Sequence, residues 1–106
     1  MGNHSMPSKP PVMFPSDQRI LERLGERLRL ARQRRRFSTE LVAARARISR
    51  TTLYRAEKGS AAISMGVYLR ILAVYGLEGD LDLIASDDRL GRDLQDAGMK
   101  SRGRSS

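Results

Sequence analysis

The sequence predicts an all-α fold: a compact bundle of four to five short helices with a flexible N-terminal arm and a C-terminal tail. Two stretches, Ile20 to Ala31 and Met65 to Tyr75, repeat apolar residues mostly at spacings of three to four, which lines them along one helical face. Between them, Ser38 and Ser49 each open a short helical pattern, and Gly59 stands just past the second one. With 106 residues and no cysteine, the chain is one domain with a small core and no disulfide or cysteine metal site.

Residues 1–15 hold Pro7, Pro10, Pro11 and Pro15, and no helix continues through them. A flexible arm is expected there. Its start, MGNHSM, reads as a cloning remnant or an unstructured beginning, and the only histidine, His4, is given no role. The first helix is expected from Ser16, as N-cap with Asp17 in the first turn, to about Arg35. Ile20, Leu21, Leu24, Leu28 and Ala31 form its core-facing stripe, and Arg23, Arg27, Arg34, Arg35 and Arg36 lie off it.

Ser38 then caps a second helix with Val42, Ala43 and Ala46 on one face and Glu40 near its positive end. Ser49 caps a third, Arg50 to Glu57, whose only apolar residues are Leu53 and Ala56. One narrow stripe is buried, and Arg50, Thr51, Thr52, Tyr54, Arg55 and Lys58 are left outside. Two helices of about eight residues are too short to be stable alone and need a helix on each side. The fourth helix, Ser64 to Gly76, turns Met65, Tyr68, Ile71, Leu72 and Tyr75 inward. Gly66 within it costs up to about 1 kcal/mol.

Beyond Leu77, Asp80 is expected to cap a short helix carrying Leu81, Leu83 and Ile84. Ser86 is expected to cap another across DDRLGRDLQDAG, with Leu90 and Leu94 four apart. From Met99 the tail is expected to be disordered. The organisation is thus an arm over residues 1–15, a helical domain over 16–85 and an extension over 86–106.

The net charge of +8 is unevenly spread. Residues 1–58 carry fourteen Lys/Arg against five Asp/Glu, whereas residues 59–106 carry six against seven. The positive field therefore belongs to the half with the two short helices, where a phosphate backbone would sit. Residues 77–98 hold seven acids against Arg89 and Arg92, which suits a protein contact and not DNA. A short helix with nothing apolar on its outer face is what a DNA major groove accepts.

The stretches LGERLRLAR, FS-x-x-x-VA, IS-x-x-TLYR-x-E-x-G and YGL follow one another from Leu24 to Leu77. In this order they resemble the phage repressor/Cro family of helix-turn-helix regulators, also called the XRE family. The resemblance implies a lambda-repressor-like DNA-binding domain with Arg50 to Glu57 as the recognition helix. Three positions depart from the family pattern. Thr39 stands where the family often has a phosphate-gripping Gln, and Arg47 and Arg36 stand where it has glycines. If the turn still requires a left-handed residue, Arg47 costs roughly 1–2 kcal/mol.

By the same resemblance, base reading falls on Arg50, Thr51 and Arg55. Arg50 and Arg55 suit guanine O6 and N7, and Thr51 suits a thymine methyl. Contacts to the DNA backbone are expected from Ser38, Thr39, Arg36, Arg47, Thr52, Tyr54 and Lys58. Arg32 and Glu57 are expected to pair and tie the first helix to the third. The implied partner is double-stranded DNA, bound as a homodimer on an inverted repeat, with Leu77 to Leu94 as the expected dimer surface.

The leading function is a transcriptional repressor. A HipB-like antitoxin that also holds a toxin protein, and a sequence-blind nucleic-acid coat, are the alternatives. No cofactor, metal or catalytic group is expected: cysteine is absent, the one histidine stands in the arm, there is no Gly-rich phosphate loop, and the acids Asp80, Asp82, Asp87 and Asp88, which could be drawn as a metal pair, lie in helix-cap contexts. Arg70 interrupts the most apolar run, so no membrane span is expected. With no signal peptide in view, the cytoplasm is the expected location.

Overall fold

The computed structural model describes residues 12–105, with side chains as far as Met99. The expectations for His4 and for residues 1–11 of the arm lie outside the described residues. Six helices and no strand make up the described chain: α1 (Pro15–Arg34), α2 (Thr39–Ala46), α3 (Arg50–Glu57), α4 (Met65–Val74), α5 (Glu78–Asp82) and α6 (Arg89–Ser105). α1 packs on α3, α2 on both α3 and α4, and α5 on α4. Their shared core holds Leu28, Val42, Leu53 and Ile71, all fully buried, with Ala31, Ala43, Ala46, Ala56, Tyr68, Leu72 and Tyr75 around them.

Three helices start the same way. The side chains of Ser38, Ser49 and Ser64 accept hydrogen bonds from the amides of Leu41, Thr52 and Val67 at 3.0, 3.0 and 3.1 Å. Each such cap contributes about 1 kcal/mol by satisfying an otherwise unpaired donor.

The other starts correct the sequence reading. α1 opens at Pro15, after Phe14, so Ser16 lies inside the helix and caps nothing. Proline's fixed φ and missing N–H suit a first helical turn. α5 opens after Leu77 without a side-chain cap, and Asp80 lies within it. At α6 the cap is Asp88, whose carboxylate accepts from the Gly91 amide at 3.0 Å. Ser86 instead donates its hydroxyl proton to the Leu83 carbonyl at 2.7 Å. The helix then continues past Met99 to Ser105, where a disordered tail was expected.

Two residues of the expected apolar stripes face outward: Ile20 is 55% exposed and Met65 66%. Met65 is the first residue of α4 and stands clear of the core. Ile20 misses because the seam of α1 that meets α3 runs through Gln18, Gly25 and Arg32 as well as Leu28. Polar residues and a glycine on that seam are invisible to an apolar count. Leu83 and Ile84, expected on the short helix with Leu81, lie beyond its end and are exposed.

The first four helices also end alike. The residue after each closing turn is left-handed: Arg36 (φ 55), Arg47 (φ 57), Gly59 (φ 76) and Gly76 (φ 73). In each, the next amide reaches back five residues, as Phe37 to Arg32, Ile48 to Ala43, Ser60 to Arg55 and Leu77 to Leu72, at 2.9–3.1 Å. That bond closes the last carbonyls of the helix. Phe37, Ile48 and Leu77 then drop against the core. Two of the four positions thus carry arginine in a conformation that favours glycine. Relieving Arg47 costs some chain entropy on folding. Arg47→Gly is therefore expected to stabilise the fold by a net of about 0.5–1 kcal/mol, a rise in melting temperature of roughly 2–6 °C. A scanning calorimetry trace in which the variant melts below the wild type would contradict the strain.

Tyr75 fills the space beneath Phe37, with ring centroids 6.4 Å apart, and its buried hydroxyl has no hydrogen-bond partner. Burial pushes this phenol up to about 12, and the Glu57 carboxylate adds in the same direction. A folded value above the unfolded one of about 10 makes this contribution whole below pH 10. It is lost as the pH rises from 10 through 12. The fold should lose about 2 kcal/mol across that window, and Tyr75→Phe should flatten the loss. Urea midpoints measured at pH 9 and pH 11.5 check this, and equal drops in both proteins would refute it.

Candidate nucleic-acid interface

α3 has only Leu53 and Ala56 buried, so its position depends on what grips its end. That grip is α1. A Cβ on Gly25 would lie 2.6 Å from the Glu57 carbonyl and 2.7 Å from the Gly59 nitrogen. Gly59, besides its positive φ, would bring a Cβ to 2.6 Å from the backbone of Glu22. The two backbones are thus in direct contact, and only glycine fits on either side. Gln18 Nε2 donates to the Gly59 carbonyl at 3.0 Å and fastens the same junction.

Arg32 completes the attachment. Its Nε and Nη2 donate to the two carboxylate oxygens of Glu57 at 2.8 and 3.1 Å, a two-pronged pair. Nη1 donates to the Phe37 carbonyl at 3.4 Å. The side chains are only 15% and 8% exposed. The hydrogen bonds to Glu57 hold the Arg32 guanidinium protonated more firmly than an exposed arginine, against the opposing effect of burial.

The remaining surface of α3 faces outward. Arg50, Thr51, Tyr54 and Arg55 are exposed, and the Lys58 ammonium sits 5.3 Å over the Tyr54 ring. Arg50, Thr51, Tyr54 and Lys58 join Thr39, the first residue of α2, along a groove of about 840 Å³ whose other wall is α1. The Arg50 guanidinium comes within 4.0 Å of Glu40 on α2. Ser38 and Thr52 stand at the helix starts with hydroxyls already engaged. Ser38 caps α2, and Thr52 Oγ1 accepts from Ser49 at 2.9 Å.

Not every residue named from the sequence gathers there. Arg55 lies on the opposite flank of the outer face and does not line the groove. Arg36 stays on the left-handed turn after α1. Arg47 closes the far end of α2 from Thr39, about 12 Å away along the helix. It lines a second cleft with Arg45 and Arg70. Conversely, Glu22, Glu26 and Arg29 of α1 line the main groove and were not singled out from sequence. Their spacing of four and three marks one face of α1, beside the apolar stripe, and is the signal that would have found them. Arg29 Nε donates to Glu26 at 3.0 Å, which lowers the Glu26 carboxyl below its usual range.

Two helices joined by a left-handed turn, the second capped by serine and showing a polar outer face, define a helix-turn-helix domain. The family model described as a helix-turn-helix domain matches residues 23–83, more than half of the chain. The chain therefore belongs to the helix-turn-helix DNA-binding family. A comparison with curated proteins finds no match. Among the described residues no helix is long and apolar enough to cross a membrane.

Arg32→Ala should lower stability by about 3 kcal/mol, because it strands the Glu57 carboxylate among buried groups. Urea denaturation checks the size. An unchanged midpoint would mean that the backbone contact at Gly25 alone holds α3.

Proposed function

We propose that this chain is a sequence-specific regulator of the phage repressor/Cro type. In this reading it represses transcription in the cytoplasm as a homodimer on an inverted-repeat operator. The observation that carries the reading is the two-sidedness of α3. Leu53 and Ala56 are fully buried, while Arg50, Thr51, Tyr54 and Arg55 are exposed.

Arg50 and Arg55 donate bidentately to guanine O6 and N7, and Thr51 meets a thymine methyl. Thr39, Ser38, Thr52, Tyr54 and Lys58 hold phosphates around the recognition helix and set its register. Arg36 and Arg47 add phosphate attraction from the domain's edges. One such unit buries little surface, so two copies bind half-sites about one helical turn, roughly 34 Å, apart. Two acids, Glu22 and Glu26, line the same groove, which supports a shaped reader over a sequence-blind coat.

A second reading, a HipB-like antitoxin, uses the same DNA-binding face. The exposed Leu83, Ile84, Leu90 and Leu94 support it as a surface for a toxin protein. Co-purification with the product of a neighbouring gene distinguishes it.

Selection of bound fragments from random duplex DNA should return a two-fold symmetric site. On that site, Arg50→Ala and Arg55→Ala should each cost about 1–3 kcal/mol and relax preference at one base per half-site. Lys58→Ala should instead weaken all duplexes alike and reduce the salt slope by about 1. Fragments without a common motif, bound with one salt dependence, would overturn the reading.

A further inference from the structure

The second cleft lies outside the groove just described. Arg45, Arg47 and Arg70 surround a floor made by Ala46, Ala73 and Val74, in a volume of about 480 Å³. Arg45 is held in place with its guanidinium 5.4 Å over the Phe37 ring. Such a site, apolar at its base and cationic at its rim, matches an amphipathic helix with acids beside its apolar stripe.

The chain carries one. Leu90, Leu94 and Ala97 follow one another at four and three along α6, and so share a face. Leu90 and Leu94 are 69% and 65% exposed. Asp93 and Asp96 border that stripe on one side, and Asp87 and Asp88 precede it. Among the described residues, α6 makes no substantial packing contact with α1 to α5 of its own chain. The cleft's charge is opposite to that of residues 77–98.

We propose that the first half of α6 of one copy seats in the Arg45/Arg47/Arg70 cleft of a second copy, and the reverse. Leu90 and Leu94 cover Ala46, Ala73 and Val74, while Asp93 and Asp96 face Arg47 and Arg70. The exchange is self-complementary and closes with two-fold symmetry. It rests on the homodimer proposed above and names what its acidic surface sits against. It gives Arg47 a duty in assembly beside the phosphate attraction proposed above.

Two charge-reversed full-length variants test it, measured by sedimentation equilibrium. One is Arg47→Glu with Arg70→Glu, and the other is Asp93→Arg with Asp96→Arg. Each alone sets like charges against each other and should dimerise at least about tenfold more weakly than the wild type. Mixed in equal amounts, they restore both opposite-charge seats and should recover a heterodimer of wild-type strength. A docking within one chain cannot be rescued by mixing, so failure of rescue overturns the proposal. Wild-type-like dimers from both variants, with Leu90→Gln and Leu94→Gln abolishing assembly, would overturn it in favour of α6 pairing with α6. Intact dimers with uniformly weakened duplex DNA binding in the first variant would return the cleft to phosphate contact. A wild type monomeric at all concentrations removes the dimer reading itself, an outcome distinct from the other three. Circular dichroism on each variant shows that folding is retained. If the first variant fails to fold, Arg70→Glu alone, mixed with the second, carries the same test.

Discussion

The structure depends on the direct contact between the backbone of α1 at Gly25 and the C-terminal end of α3. α3 buries one leucine and one alanine. Removing a leucine side chain from water is worth about 1.5–3 kcal/mol, and ordering eight residues of backbone costs about 1–2 kcal/mol each. The helix cannot hold itself. It stands because α1 receives its end between Gly25 and Gly59, fastens it with Gln18, and ties it with the Arg32–Glu57 pair. Serine caps and left-handed closures then settle where neighbouring helices begin and end.

This arrangement shapes the electrostatics of the interface. The half of the chain that carries the positive excess also carries Glu22, Glu26 and Glu40. The first two line the groove beside α3, and the third comes close to Arg50. Exposed pairs of this kind contribute little to stability. Their effect is local: Glu22 and Glu26 temper the positive charge along the groove, and Glu40 does so beside Arg50.

The fold was legible wherever local chemistry decides. The serines at 38, 49 and 64 start helices because a short side-chain acceptor reaches the third amide, and the residue type alone announces it. The Arg32–Glu57 pair was foreseen only through family resemblance, since nothing in the spacing of two charges twenty-five residues apart joins them. Gly25 was passed over. A glycine within a helix reads as a weakness until the partner backbone that requires it is in view. Ile20 and Met65 were misplaced because periodicity assigns a face without saying whether anything covers it. The start of α6 went wrong by two residues for a related reason: both Ser86 and Asp88 are good caps, and the geometry of the preceding turn chose between them. Charge pointed to the half of the chain that holds the helix-turn-helix. It did not separate Arg47 from Arg50, which lie three residues apart in sequence but on different clefts.

Because α1 meets α3 main chain to main chain, the placement of α3 is indifferent to the amino acids on its outer face. Arg50, Thr51, Tyr54 and Arg55 take no part in that seat. Each position can be exchanged for another residue while the rod keeps its pose. Under the proposed function, a lineage descended from this chain can therefore drift toward new operators one letter at a time, with the scaffold unaltered and the vocabulary rewritten.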